Sequence, residues 1–404
     1  MPPLKSPSEE AFMLIDFARI RAETPGCSMV AHFNHSSCSL PPVQVTQAIV
    51  EHLQREALYG PGEMGVAVAE DIQATRRAAA RLLNASAEEV ALVGSGSQGW
   101  GLAFASLPPL RSGDRVLVGR HEWGGNLSTI HQAAGRVGAS VEIIPCRDDG
   151  CISPEALAAM IDNRVRLIAL TWLPATNGLI NPAAEIGRIA RRAGIPYFVD
   201  AGQALGQIPV DVEAIGCDVL KGAGRKYLRG PRGTALLYVR RSFLKQLTPP
   251  YLDVLSGPWV NGAPVPRDDA RLFESGENPF ALQLGLGAAI RYTLDIGVET
   301  IRQRIDRLAG MLRAQLSDIP GVRVHDGGQE RSSIVAFTVE GMAPQDVRRA
   351  LAGDRINVAA IAAAYTPLDM ASRGLAEIVR ASVSYLTSEE EIERLVGAIA
   401  GLRS

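Results

Sequence analysis

Lys226 and Asp200 are the residues whose types and spacing could carry chemistry. Asp200 ends the apolar run Ile195-Pro-Tyr-Phe-Val-Asp200 and is followed by Ala-Gly-Gln203. Lys226 follows Cys217-Asp-Val-Leu220 in the turn Gly222-Ala-Gly-Arg225-Lys226, which closes with Gly230-Pro-Arg-Gly233. One short strand thus delivers a carboxylate at its C-terminal end, and the next delivers an amine in a glycine-rich turn. Pyridoxal phosphate needs such a pair: an amine to hold its aldehyde, and an anion to keep its ring nitrogen protonated.

A second candidate is Gly94-Ser-Gly-Ser-Gln-Gly99, a literal G-x-G-x-x-G after a strand. A dinucleotide site would put an acid at the end of the next strand, and here Glu122 arrives late, after Arg115-Val-Leu-Val-Gly-Arg-His121. Under either reading, the backbone N–H groups of Gly96, Ser97 and Gln98 and the Ser97 hydroxyl suit a phosphate at a helix N-terminus. Lys226 and Asp200 decide for pyridoxal phosphate. His32, His35 and Cys38 are spaced as metal ligands could be, but no matching ligand cluster exists elsewhere, so no metal is expected.

Gly224-Arg-Lys-Tyr-Leu-Arg-Gly-Pro-Arg-Gly233 resembles the lysine segment of the class V aminotransferase family, which includes cysteine desulfurases and isopenicillin-type epimerases. Within the family it is most similar to the C–S lyases of ergothioneine biosynthesis, which cleave hercynylcysteine sulfoxide. The resemblance implies the α/β architecture of fold-type I enzymes and a homodimer with shared active sites. It implies that Lys226 holds the aldehyde and then serves as base and acid at Cα. Lys221, the rival amine, falls off the family position. Asp200 would pair with the pyridinium, Gln203 with the phenolic oxygen, and Gly96, Ser97, Gln98 and Arg225 with the phosphate. Trp123, in Arg120-His-Glu-Trp-Gly-Gly-Asn126, would stack on the ring, with Gly124 and Gly125 leaving room for a ligand. Asn126 would fix the loop or start a helix. Arg380, in Arg380-Ala-Ser-Val-Ser384, would clamp the substrate α-carboxylate with its planar fork. The segment from His32 to Pro42 would enter the site and bring Asn34 and His35 to the substrate. Phe273-Glu-Ser-Gly276 would lie at the dimer interface.

The departures narrow the chemistry. Desulfurases attack sulfur with a cysteine from the C-terminal region; here no cysteine follows Cys217, and the corresponding stretch is Val358-Ala-Ala-Ile-Ala-Ala-Ala-Tyr365. A β-elimination needs no such nucleophile, which favours a lyase acting on an S-substituted cysteine or its sulfoxide. Ala223 replaces a hydroxyl three residues before the lysine, Ala175 falls where the family has threonine or asparagine, with Thr176 and Asn177 displaced, and Glu277 replaces an interface threonine. The loop Gly60-Pro-Gly-Glu-Met-Gly65 lacks the aromatic residue of relatives. An altered pocket keeps transamination, epimerisation and β/γ-replacement open.

Elements must position these groups. Seven short apolar runs alternate with amphipathic helices: 89–93, 115–118, 141–144, 167–171, 196–199, 219–220 and 234–239. This pattern predicts a mostly parallel seven-stranded sheet covered by helices, with ligands beyond the strands' carboxyl ends. Helical periodicity from Val43 to Leu83 should break in a loop at Tyr59-Gly-Pro-Gly-Glu63. A polar passage runs from Thr248 to Asp269, and after Tyr292 a helix to about Ser317 opens an α+β tail. The expected organisation is an N-terminal segment (1–43), a large cofactor-binding domain (44–289) and a small α+β domain (290–404). With 404 residues, 47% of them hydrophobic, and a net charge of −2, the chain suits a globular enzyme for a small amino-acid substrate, with no nucleic-acid or membrane partner. Five scattered cysteines do not form a disulfide framework, and the first ten residues lack a secretion signal, so the cytoplasm is expected.

Overall fold

All seven apolar runs form strands, and burial on both faces explains why all but the edge strand Ser140–Ile144 read as continuous rather than alternating. A computed structural model describes residues 16–402; the first fifteen residues, including the ten read above for a secretion signal, lie outside the described residues, as do 403 and 404. The central sheet comprises β1 (Val90–Val93), β2 (Arg115–Gly119), β3 (Ser140–Ile144), β4 (Val165–Thr171), β5 (Tyr197–Asp200), β6 (Val219–Lys221) and β7 (Ala235–Val239). Their order is β1-β7-β6-β5-β4-β2-β3. Neighbours from β3 to β6 pair in parallel, while β7 runs antiparallel to both β6 and β1. Side chains alternate between faces: Val199, Leu220 and Leu236 enter one core, and Phe198, Val219 and Leu237 enter the other.

Helices α1 (Val43–Tyr59), α2 (Ala69–Leu83), α3 (Gly96–Ala105) and α4 (Gly124–Val137) belong to this part of the chain. The loop expected at 59–63 shrinks to one residue. Only Gly60 leaves the helix, at φ +95°, and Pro61 opens the next helix (Pro61–Ala67) at its first turn. A missing N–H costs nothing there, because first-turn donors have no partner inside the helix.

The single helix expected after Tyr292 is a pair, α5 (Phe280–Ile296) and α6 (Val298–Ser317), divided at Gly297. Helix α5 packs on α1 and α2 and spans two cores: Leu286 and Ile290 join the sheet's core, while Tyr292 and Ile296 pack against the next. That next core lies under a four-stranded antiparallel sheet of β8 (Val322–Val324), β9 (Ile334–Val339), β10 (Ala359–Ala362) and β11 (Glu377–Ser382), in the order β8-β9-β11-β10. Ile20, Ala31 and Phe33 are buried in it, and Ala31 and His32 pair in parallel with Ile356 and Asn357. The passage 248–269 carries only a small hairpin, Trp259–Val260 against Ala263–Pro264. Among the described residues no helix is long and apolar enough to cross a membrane, and no cluster of metal-ligating side chains is found.

Candidate active site

Three parallel strands end side by side. Thr171, Asp200 and Lys221 are register partners across β4, β5 and β6. They border a cavity of about 350 Å³, together with Gly94 after β1 and Trp123 after β2. Its other rim comes from far away in sequence: Ser36 and Ser37, and Ile361, Tyr365, Thr366 and Arg380.

Lys226 borders this cavity, and its ammonium has no hydrogen-bond or ion-pair partner among the described residues. Burial brings its pKa down to about 7; Asp200 opposes the fall, and Arg225, Lys221 and Arg380 add to it. Much of it is therefore the free amine near neutral pH, the form that attacks a carbonyl. Asp200 behaves oppositely. Burial works against its charge, but Lys221 at 2.8 Å and the Gly202 N–H at 2.9 Å outweigh burial, and its pKa falls below the usual carboxylate value.

Lys221, set aside on sequence, is thus an inner member of the site. It also donates to Asn126 Oδ1 at 3.2 Å, and Asn126 Nδ2 donates to Asp200 Oδ2 at 3.2 Å and to Glu122 Oε1 at 2.7 Å. Asn126, expected to fix a loop or start a helix, does lie in the first turn of α4, and it also bridges this charged cluster. Glu122 is fully buried and its Oε2 has no partner. Burial, then the charge of Asp200, pushes its pKa up to about 7. A carboxyl that holds its proton more tightly when folded loses stability for the fold as pH rises from about 4.5 through 7. Replacing Glu122 by Gln removes that loss. In urea unfolding of the cofactor-free protein, wild type should fall behind E122Q by on the order of 2–3 kcal/mol between pH 5 and 8. Parallel curves for the two proteins would remove Glu122 from the account.

At the helix N-terminus, the Ser95 hydroxyl caps α3 by accepting from the Gln98 N–H at 3.1 Å, and Gln98 Oε1 accepts from the Gly94 N–H at 3.1 Å. Gln98 is therefore occupied, which corrects the expected trio: only Gly96 and Ser97 of the three line the cavity. Gly96 lies against the Lys221 chain; a Cβ there would stand 3.2 Å from Lys221 Cδ.

The backbone N–H of Trp123 donates to Thr171 Oγ1 at 2.9 Å, and the Trp123 ring lies 5.2 Å from that of Tyr365. Both lysine ammoniums lie 5.9 Å from the Trp123 centroid. The glycines beside it do not leave space for a ligand. A Cβ on Gly124 would collide with the Ala364 carbonyl oxygen, so this glycine admits the loop that carries Tyr365. Gly124→Ala should force that loop off and cost about 1–3 kcal/mol, read as a lowered melting midpoint; an unchanged midpoint would mean that the loop gives way freely.

Gln203 donates to the Ser36 carbonyl at 3.2 Å and leaves its Oε1 buried without a partner. Arg225 lines the cavity, but its guanidinium donates to the Ser37 carbonyl, so its direct partner is the N-terminal segment rather than the phosphate turn. His35 does not face the cavity; its ring is held between Ser39 (3.0 Å) and Ser384 (3.2 Å), and burial keeps it neutral. Asn34 forms a bridge with Ser382 and is not among the lining residues. Ser36 and Ser37 are the residues through which this segment reaches the site. The Nε2 of His32 is occupied by the Cys38 carbonyl at 2.8 Å. Arg380 is buried, donates to Ala175 O (2.9 Å) and Ser37 Oγ (2.6 Å), and has no carboxylate partner among the described residues; its Nε is unpaired. Glu377 accepts from Gln345 instead. Glu274 pairs with buried Arg76 at 2.5 Å, while Glu277 is exposed. All five cysteines are free and none lines the cavity.

Comparison with known proteins puts this geometry in context. The model of the family "Aminotransferase class-V" matches residues 32–395. The chain belongs to that family. A probable cysteine desulfurase of Xylella fastidiosa (strain 9a5c) is 30% identical over 400 residues, 96% of this chain and 94% of that protein. A cysteine desulfurase structure from Thermococcus onnurineus NA1 matches with a TM-score of 0.88 at 24% identity, over 100% of this chain and 99% of that one. A cystine C–S lyase solved with its product, cysteine persulfide, matches with a TM-score of 0.85 at 23% identity, over 93% and 99% of the two chains. The expected fold-type I architecture is the one found.

Pyridoxal phosphate is the family's cofactor, and the cavity fits it. An amine is free beside an acid held ionised, the Gly96 and Ser97 N–H groups open a helix, and a buried Gln203 oxygen awaits a donor. Sequence reasoning gave no role here to Thr171, Ser36, Ser37 or Tyr365, weighed Glu122 only for a dinucleotide site, and did not foresee that Lys221 and Asn126 join Asp200. For Lys221 a signal existed: it ends the strand next to the one that Asp200 ends.

Proposed function

We propose that this protein is a pyridoxal-phosphate-dependent lyase that breaks the Cβ–S bond of an S-substituted cysteine or cysteine sulfoxide. The observation that carries this reading is a cavity that joins Lys226, Asp200 and an Arg380 with no carboxylate partner among the described residues, but has no thiol on its wall. When bound, pyridoxal phosphate supplies an aldehyde for amine exchange and a ring that withdraws electrons from the substrate Cα.

The chain's own residues do the rest. Lys226 is the amine that would hold the aldehyde, and once displaced it stands free to take the Cα proton. Asp200 would keep the ring nitrogen protonated, and Trp123 would cover the ring face. Gly96 and Ser97 would hold the phosphate, and Gln203 would face the phenolic oxygen. Arg380 would bind the α-carboxylate, with Ser37 steadying its guanidinium. Removal of the Cα proton leaves an electron pair that expels the sulfur group from Cβ; hydrolysis then yields pyruvate and ammonia.

A second reading is cysteine desulfuration, favoured by the names of the curated relatives. It needs a thiol to accept sulfur, and the segment 358–365 offers Tyr365 at the cavity instead. Transamination, epimerisation and replacement remain readings on the same residues. Incubating the loaded protein with S-methylcysteine sulfoxide and with cysteine separates elimination, desulfuration and transamination. Equal release of pyruvate and ammonia from the sulfoxide supports the lyase; protein-bound persulfide and alanine from cysteine would replace it with the desulfurase, and an amino group left on the cofactor with a transaminase.

The homodimer belongs to this proposal. Val50, Leu53, Leu58 and Tyr59 of α1, with Val254 and Trp259, are exposed apolar residues; the last two are 72% and 71% exposed. Exposed apolar residues in such number suit a partner surface. A monomer in light scattering at micromolar concentration would remove this part.

A further inference from the structure

The mechanism above uses one lysine, yet two reach the cavity. Lys221 is buried, and its ammonium contacts two groups directly: Asp200 Oδ2 at 2.8 Å and Asn126 Oδ1 at 3.2 Å. Its aliphatic chain runs beneath Gly96. A cation on Asp200 would at first sight compete with a protonated ring nitrogen for the same carboxylate. Glu122 resolves the conflict, since it is a second buried acid, bridged to Asp200 and Lys221 by Asn126 and with one oxygen unpartnered. A protonated ring nitrogen entering beside this cluster would favour release of the Glu122 proton; two ionised acids would then balance two cations, and buried charges are tolerated when paired in this way.

We propose that Lys221 is a positioning residue: it locks Asp200 and Asn126 into one geometry and, as a fixed positive charge beside Lys226, makes the Lys226 nitrogen a weaker base. The two ammoniums share the Trp123 ring at 5.9 Å each. The charged groups facing Lys226 are Asp200 from β5, Lys221 from β6, Arg225 from its own turn and Arg380 from β11, so three cations oppose one anion. Lys221 is the only one of the three cations that also touches the anion, so removing it both frees Asp200 and lifts a repulsion. This rests on the reading of Lys226 as the amine that holds pyridoxal phosphate.

The test is a pH titration of the visible absorbance of the loaded protein, which reports protonation of the nitrogen that Lys226 supplies. Without the charge, in Lys221→Met, the midpoint should rise, equivalent to proton binding roughly threefold to tenfold tighter. Lys221→Arg keeps the charge and should hold the midpoint within about twofold of wild type. Glu122→Gln removes a negative charge from the same cluster and should move the midpoint down; it decides the matter if Lys221→Met does not fold or load. An unmoved midpoint in Lys221→Met, or an Arg variant that shifts as far as the Met variant, overturns the proposal. So does an unmoved midpoint in Glu122→Gln where that variant decides. Borohydride treatment of wild type is the control on the reading beneath it. If no cofactor becomes attached to Lys226, that reading fails and takes this one with it; if attachment is normal and only the midpoints disagree, this proposal fails alone.

Discussion

Lys226→Ala should lose at least about 10³-fold in turnover, the scale of a positioned acid–base group removed from its reacting proton. The protein should still fold, because the ammonium it deletes has no partner among the described residues. Its removal takes away an unfavourable burial, the cause of the depressed pKa. Borohydride should no longer attach cofactor to the chain, and an added small amine should restore part of the rate. Peptide mass mapping makes the outcome sharp. Attachment that moved to Lys221 would show a second lysine able to take over, and attachment unchanged in amount and place would end the role given to Lys226.

Arg380→Ala should lower kcat/KM by about 10²–10³, because truncating one partner of a buried charge pair costs on the order of 2–5 kcal/mol. The loss should sit mainly in KM if the α-carboxylate is held equally in ground and transition states. Lysine should restore little, since a point charge cannot reproduce the fork that Arg380 holds between Ala175 and Ser37. Steady-state kinetics with a carboxylate substrate and its amide separate the cases. A loss below tenfold, or an equal loss for both, would place the carboxylate elsewhere.

The sheet was legible because every strand but β3, an edge strand with Ile143 exposed, is buried on both faces, so the apolar runs stand out without alternation. The helix break was misjudged for a local reason: Pro61 looks like an interrupter, yet at a first helical turn it is a starter. The cavity's floor was legible too, since Asp200 and Lys226 follow strands directly. Its details depend on which way a side chain turns. Gln98 satisfies hydrogen bonds of its own segment, and His35 is held between Ser39 of its own segment and the distant Ser384; nothing in their spacing says so. Gly124 was read as room for a ligand, when the occupant is a carbonyl 240 positions later in the chain, Ala364. The Lys221–Asp200–Asn126–Glu122 cluster joins three stretches of sequence, which no single motif displays.

The parallel pairing of Ala31 and His32 with Ile356 and Asn357, extended by the Ser36–Ser382 hydrogen bond, also governs when the molecule can mature. A ribosome adds about 5–20 residues per second, so Phe33 and its neighbours wait roughly 15–65 s for the strand they pair with to be made. During that interval the large sheet can already be complete, with Asp200 and Lys226 in place but Arg380 not yet synthesised. Completion of the cavity therefore waits for closure of the long loop from Ala31 to Ile356. The nascent chain meanwhile carries an apolar segment with nowhere to dock, the kind of surface a chaperone would be expected to hold.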